Sequence, residues 1–383
     1  MLTDPARSPF ALFERFPRLA AAVPRLPLGA WPTSVTPLAR FAEAHGLASL
    51  HAKREDRSHP ECGGSKLRGV EFLLADARRR GATAIVTFGA AGSHHVRTTA
   101  WHARRLGMDT TGLVFAQPPA EYVRCNLLAG LATGTRFVPV NPATVGPRLL
   151  IAWLRARRGG RPCIIPPGGS SPLACLGHVN AAFELKRQID AGDAPDPDVI
   201  FVPLGSLGTA AGLAVGIRLA GLAARLVGVV TYHRWYCTPG RWAALARRTH
   251  RLMRRLDETV PDIRIDKAGL AVVPTALGAG YGHFTGESVG LARELHATEG
   301  LELDGTYTAK TLAGAMGYIE RHGLREAGLL YWHTYQPPPV ARPQPESVPR
   351  DLRRYFRTSQ PLDLQPPETL SRPGRRGETH GPT

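Results

Sequence analysis

The sequence predicts an α/β fold, and three observations predict it. From about residue 68 to residue 232, short apolar runs of strand character alternate with segments of helical spacing. The apolar runs are continuous, as in strands buried on both faces of a parallel sheet. Several of them end in a glycine-rich turn that leads straight into a helix. In order, Leu67, Val70, Leu73, Leu74 and Ala77 repeat at helical spacing, and "TAIVTFG" follows as a strand. "HHVRTTAWHARRLG" reads as a helix stopped by Gly107. "TTGLVF" is a strand, "AEYVRCNLLAGLA" a helix, "TRFVPV" a strand, "TVGPRLLIAWLRARR" a helix and "RPCIIP" a strand. "CLGHVNAAFELKRQID", "DVIFVPLG", "TAAGLAVGIRLAG" and "RLVGVVTY" continue the alternation as helix, strand, helix, strand. Ligands of such folds sit at the carboxyl ends of the strands.

The 383 residues suffice for a full core and two lobes. With 43% hydrophobic and 21% charged residues, the composition is that of a soluble globular protein. No apolar run is long enough to span a bilayer, and the N-terminal segment lacks the layout of a secretory signal. Five widely spread cysteines without a C-x-x-C pair point to free thiols in a reducing cytoplasm rather than to disulfides or zinc. The net charge of +17 is dispersed and lacks interleaved aromatics, so it predicts no specific nucleic-acid partner. Its densest cluster, Arg241, Arg247, Arg248, Arg251, Arg254 and Arg255, reads as the solvated face of a helix. Residues 337–383 hold 11 of the 34 prolines and 8 Arg against 5 acids, the composition of a disordered tail.

Lysine is scarce. Only five of the 48 Lys and Arg residues are Lys, and one of them, Lys66, follows a Gly-Gly turn and opens a helix. Arginine stays protonated, whereas a lysine amine can lose its proton and attack a carbonyl. At a helix start, with partial burial, the helix field lowers its pKa. Taken alone, this signal is weak, and a solvent-facing lysine in the first helical turn explains it better. In "FVPLGSLGTAAGLAVG" a strand runs through Gly205, Ser206, Leu207, Gly208 and Thr209 into a helix. Backbone N–H groups and two hydroxyls there suit a single phosphate, or else form an ordinary tight turn. Ser93 opens a helix after another glycine-rich turn, placed either to cap it or to help bind a carboxylate. His94 and His95 point to different helix faces and make no metal pair. "IIPPGGSSPLACLGHVN" reads only as a turn and a cap.

Taken in order, these stretches resemble the pyridoxal-phosphate enzymes of the D-cysteine desulfhydrase and 1-aminocyclopropane-1-carboxylate deaminase family. The likeness runs from about Leu26 to about Thr334, through "TPLARF", "KREDRSHPECGGSKLRGVEFLLADA", "SHHVRTTA", "PPGGSSPLACLGHVNAAFEL", "LGSLGTAAGLAVG", "GAGYGHFTGE", "DGTYTAKTLAGAMGYI" and "HT". The resemblance implies the tryptophan-synthase-β-like fold, fold type II, with two open twisted, mostly parallel α/β domains and the cofactor in the cleft. The larger domain would comprise residues 1–68 and 180–336, and the smaller one residues 69–179.

It implies pyridoxal 5'-phosphate bound to Lys66 as the Schiff-base lysine, which also moves the substrate's α-proton. It implies a phosphate cup of Gly205, Ser206, Leu207, Gly208 and Thr209. Ser93 would bind the substrate carboxylate or aid proton transfer. Tyr281 and Tyr307 would line the substrate side, and Thr334 would face the pyridine nitrogen. Thr308 stands where the cyclopropane deaminases carry Glu and the desulfhydrases Thr, which points to the desulfhydrase branch. The implied reaction is α,β-elimination from a small amino acid to a 2-oxo acid and ammonia, by a cytoplasmic homodimer.

The chain departs from the family pattern at four places. Ser65 replaces an Asn before the lysine, and Gly69 a second lysine. His94 replaces the Asn that bonds the ring hydroxyl, and Tyr335-Gln336 replaces Gly-Gly. With these changes, β-replacement, racemisation and a catalytically silent cofactor-binding descendant stay open beside elimination.

Overall fold

The structure, a computed structural model, describes residues 10–338 and 348–356. Among the described residues ten strands form two sheets: β1 Val35–Pro37, β2 Ser49–Arg54, β3 Ala84–Ala90, β4 Asp109–Phe115, β5 Arg136–Val140, β6 Pro162–Ile165, β7 Val199–Leu204, β8 Arg225–Val230, β9 Ala271–Val273 and β10 Gly328–His333. One sheet has the order β1-β2-β10-β7-β8-β9, the other β5-β4-β3-β6. Every pairing is parallel except β1 with β2. The fold is the α/β fold expected from the alternating pattern. All six residues of β7 are buried, because β10 and β8 flank it and helices cover both faces. Pro203, which cannot donate a ladder bond, lies beyond Phe201, the last residue of β7 that β10 pairs.

Three helices pack against one another beside the larger sheet: Lys66–Arg79, Pro172–Asp190 and Gly208–Leu219. Glycines set how close they come. A Cβ on Gly177 would lie 2.2 Å from the Arg68 carbonyl oxygen, and one on Gly212 would lie 2.5 Å from that of Cys175. Gly69 faces Ala174, and a Cβ added there would stand 3.0 Å from the Ala174 Cβ. That contact has no room for a lysine side chain, which accounts physically for one of the four departures.

Lys66–Arg79 is also held by charge. Arg68 makes paired bonds to Glu55 and to Glu184, and all three side chains are buried. Glu71 accepts from the backbone N–H groups of Leu28 and Gly29 and from the Trp31 indole, all at 2.9 Å, and so ties the N-terminal segment to the same helix.

The six clustered arginines of Pro239–Leu256 lie on its exposed face, opposite buried Trp242, Ala243, Ala246 and Met253. The expectation of a disordered tail from residue 337 is corrected for part of its length. Residues 350–356 form a 3-10 helix, and Val348, Leu352 and Tyr355 are buried with Val123, Leu127 and Val114. Three apolar side chains at suitable spacing offset the ordering cost that the surrounding Pro and Arg would predict. The remainder of that call lies outside the described residues.

Candidate active site

Segments from both sheets meet at the carboxyl ends of parallel strands. They follow β2, β3, β6, β7, β8 and β10. Lys66 enters after β2. Gly64 has φ +87°, a conformation that glycine adopts without Cβ strain. Its N–H donates to Ser58 Oγ at 2.9 Å, and the Ser65 N–H donates to the Thr334 carbonyl at 3.0 Å. This fixes the helix start at Lys66. The Lys66 Nζ donates to Ser206 Oγ at 3.1 Å and to the Gly168 carbonyl at 3.4 Å. Burial lowers its pKa to about 8. Among the described residues, no carboxylate bonds to this amine.

The turn after β7 approaches from the other side. Leu207 has φ +69°, the one non-glycine residue with positive φ among the described residues, at a cost of about 1–2 kcal/mol. The kink lets Gly208 open the helix with its first-turn N–H groups free of intrahelical acceptors. Ser170 Oγ donates to Ser206 Oγ at 2.8 Å. A Cβ on Gly168 would lie 2.3 Å from Ser206 Oγ, and one on Gly208 would lie 2.8 Å from Ser170 Oγ. Thr209 Oγ1 stands 3.5 Å from His178 Nε2. Lys66, Gly168, Ser170, His178, Gly208 and Thr209 line one pocket. Sequence reasoning gave the Gly168–Ser170 segment only a turn and a cap. Ser171 does cap Ala174 at 3.3 Å, but the same turn also forms a wall of the lysine pocket. A glycine-serine run at a strand's carboxyl end was the available signal.

The third side is where the departures gather. His94 is buried, its Nε2 has no hydrogen-bond partner, and burial beside Arg97 and Lys66 holds the ring neutral. Its ring sits over Gly64, where a Cβ would lie 2.2 Å from Cε1. Tyr335 meets His94 edge to face at 5.7 Å. Gln336 turns away and accepts from the Gly63 N–H, while its amide donates to the His59 carbonyl at 2.7 Å. Arg97 Nη2 donates to the Gln336 carbonyl at 2.8 Å. The pair that replaces Gly-Gly thus pins the loop that precedes Lys66. Ser93 accepts from the Val96 N–H at 3.3 Å, so its hydroxyl caps the helix. His95 points to a different face from His94, with Nε2 3.0 Å from Thr87 Oγ1, and lines the same pocket as Lys66.

Tyr281 and Tyr307 bring their hydroxyls to 2.8 Å of each other, and burial keeps both phenols protonated. A Cβ on Gly205 would lie 2.9 Å from the Tyr307 ring, so the pair adjoins the β7 turn. Thr308, next to Tyr307, is bonded within its own turn. Its hydroxyl donates to Asp304 Oδ2 at 2.8 Å and its N–H to the same atom at 3.1 Å. A buried hydroxyl one turn from a buried carboxylate finds its partner locally. Thr334 is buried beside Ser65, as the bond from the Ser65 N–H requires.

These residues suit pyridoxal phosphate. The amine has its pKa lowered and is partnered only by neutral groups. The helix start after the Leu207 kink offers N–H groups and the hydroxyls of Ser206 and Thr209 to an anion. His94 Nε2 is a buried polar atom without a partner.

Comparison with known proteins agrees. Residues 26–334 match the model of the pyridoxal-phosphate dependent enzyme family. The chain is 35% identical over 320 residues to nocardicin C-9' epimerase of Nocardia uniformis subsp. tsuyamanensis, covering 82% of this chain and 93% of that protein. It is 32% identical over 324 residues to D-cysteine desulfhydrase of Klebsiella pneumoniae, covering 81% and 93%. A crystal structure of an ACC deaminase homologue superposes with a TM-score of 0.70 at 27% identity, over 85% of this chain and 95% of that one. With Lys66, the β7 turn and these matches together, the chain belongs to the pyridoxal-phosphate dependent enzymes and has their fold type II architecture.

Proposed function

We propose that this protein removes the α-proton of a small amino acid and releases a β-substituent, yielding a 2-oxo acid and ammonia. One observation carries the reading. The Lys66 amine, with its pKa lowered to about 8, faces the strand-to-helix turn at Ser206 and has no carboxylate partner among the described residues. Pyridoxal phosphate, when bound, supplies an electron sink for the charge left at the α-carbon.

In this reading Lys66 Nζ would anchor the cofactor and would be the base that takes the substrate's α-proton. Gly205, Ser206, Leu207, Gly208 and Thr209 hold the phosphate through N–H groups and hydroxyls. Ser65, His94 and Thr334 would hold the ring, His94 and Thr334 by their neutral polar groups. The protonated Tyr281–Tyr307 pair gives a proton to the departing group. Ser93 and the N–H groups at its helix start take the substrate carboxylate.

The cleft would lie between a larger unit of residues 1–68 and 180–336 and a smaller unit of residues 69–179. Cys62, Cys125, Cys163, Cys175 and Cys237 are all unpaired, which supports a reducing, cytoplasmic setting; that the protein works as a homodimer is carried by the family resemblance alone. No helix among the described residues is long and apolar enough to cross a membrane.

A second reading, inversion at the α-carbon, is favoured by the 35% identity to an epimerase. Incubation with each enantiomer of cysteine and of β-chloroalanine in D2O separates the two. Pyruvate and ammonium mark elimination. Recovered amino acid of the opposite hand, deuterated at Cα and without ammonium, marks inversion. Amino acid returned with its α-proton intact in every case overturns both.

A further inference from the structure

The segment after β8, residues 231–237, carries four aromatic rings within five positions: Tyr232, His233, Trp235 and Tyr236. It is stapled to the β7 turn at both ends. Thr231 Oγ1 donates to the Leu204 carbonyl at 3.0 Å. Cys237 Sγ donates to the same carbonyl at 3.0 Å and lies 3.5 Å from that of Gly205. Between the staples the chain turns tightly, with the Tyr236 and Cys237 N–H groups both donating to the His233 carbonyl. The rings connect to the site. Tyr232 meets Tyr281 edge to face at 5.2 Å, and Tyr281 shares a hydrogen bond with Tyr307. Outward, Tyr232 touches His233 at 4.4 Å, and His233 stacks with Trp235 at 6.0 Å and 18°. Trp235 is 67% exposed, the most exposed large apolar side chain among the described residues. Arg241 lies 5.5 Å from its ring centre and 5.2 Å from that of Tyr236.

An indole left in water costs free energy unless something covers it. Here it is held on a loop anchored to the turn beside Lys66, at the end of a continuous run of rings that starts at the substrate-side tyrosines. We infer that this loop is a specificity platform: it receives the far end of the amino-acid substrate, and that far end is aromatic. Trp235 supplies the stacking face, and Arg241, with neighbouring Arg234, favours a ring that is electron-rich or carries an anionic group. The inference rests on the reading that an amino acid binds at Lys66, and it narrows the substrate class to amino acids whose β-substituent bears an aromatic ring.

The test is calorimetric binding of both enantiomers of S-phenylcysteine and of alanine to the full-length holoenzyme and to its Trp235→Ala and Trp235→Phe variants, with sedimentation of each. In the parent, S-phenylcysteine binds at least about tenfold more tightly than alanine. Trp235→Ala lowers that ratio about tenfold, and Trp235→Phe restores most of it. Equal affinity for the two ligands in the parent, no binding of either, or an unchanged ratio in Trp235→Ala overturns the inference. A changed sedimentation coefficient with an unchanged ratio overturns it too, and identifies the loop as a contact between copies of the chain. Tight, Trp235-dependent binding of S-phenylcysteine without α-proton exchange in D2O upholds the platform and rejects the proton-transfer reading, so the two fail separately.

Discussion

Lys66 and Lys53 are the same side chain under the same penalty, and burial lowers both to about 8. Their surroundings differ. Lys53 donates to the Thr33 carbonyl at 2.7 Å and to Gln188 Oε1 at 2.6 Å. It lies in the field of Glu184 and Glu55, and with Arg68 these four charges balance. Lys66 has two longer contacts, 3.1 and 3.4 Å, to a hydroxyl and a carbonyl, where segments from both sheets converge. Lys310 is a third case, lowered to about 8 but spent on the Leu277 and Gly280 carbonyls. A lowered pKa therefore reports desolvation, not function. What sets Lys66 apart is that its amine is underused and placed beside the strand-to-helix turn at Ser206.

The sharpest way to break this comparison is to remove each amine in turn. Lys66→Ala lowers amino-acid α-proton exchange by about a thousandfold or more, with melting temperature nearly unchanged. Exchange at parental rates would leave Lys66 no different from Lys53. Lys53→Ala acts the other way. It leaves a buried carboxylate uncompensated and costs about 3–5 kcal/mol in urea unfolding, while the folded fraction keeps its rate. Inactivity of folded Lys53→Ala, with the structure intact, would erase the distinction.

A smaller effect separates the two by access. For a lysine whose folded pKa is lowered, the neutral, reactive form appears as pH rises through about 8 rather than near 10.4. Trinitrobenzenesulfonate labelling of the cofactor-free protein, read by peptide mass, should then reach half its limiting rate at Lys66 near pH 8. Lys53, fully buried at the same pKa, should stay unlabelled until the protein unfolds. Labelling of Lys66 that keeps rising to pH 10 would mean that the amine is not desolvated. The smallest effect is at the pinned loop. Gln336→Ala removes the bonds to Gly63 and His59, costs about 1 kcal/mol, and speeds hydrogen exchange at the Gly63 amide. Unchanged exchange there would show that the loop holds without Gln336.

Much of this site was legible before the structure, because its parts are local. Lysine against an arginine background, a Gly-Gly turn before a helix, and a strand running into Gly-Ser-Leu-Gly-Thr are each written within a few residues. Other parts were not. Gly168 matters because it touches Ser206, far along the chain. Thr308, read as a site residue, has its hydroxyl bonded to Asp304 within a single turn. Gln336 reads as an obstruction beside Thr334 until its side chain is seen to reach back to Gly63. No local spacing records which distant backbone a side chain will meet.

The sequence by itself determined the alternation of buried strands and helices, and with it the parallel sheets and the placing of turns at strand ends. Period and propensity act over short stretches, where the chain has few alternatives. Tertiary structure alone decided which of three desolvated lysines keeps a nearly free amine, and that a ring-bearing loop is fastened to the turn at Leu204 and Gly205. Those outcomes depend on contacts between segments far apart in the chain, and they are fixed only once the helices have packed at the distances their glycines allow.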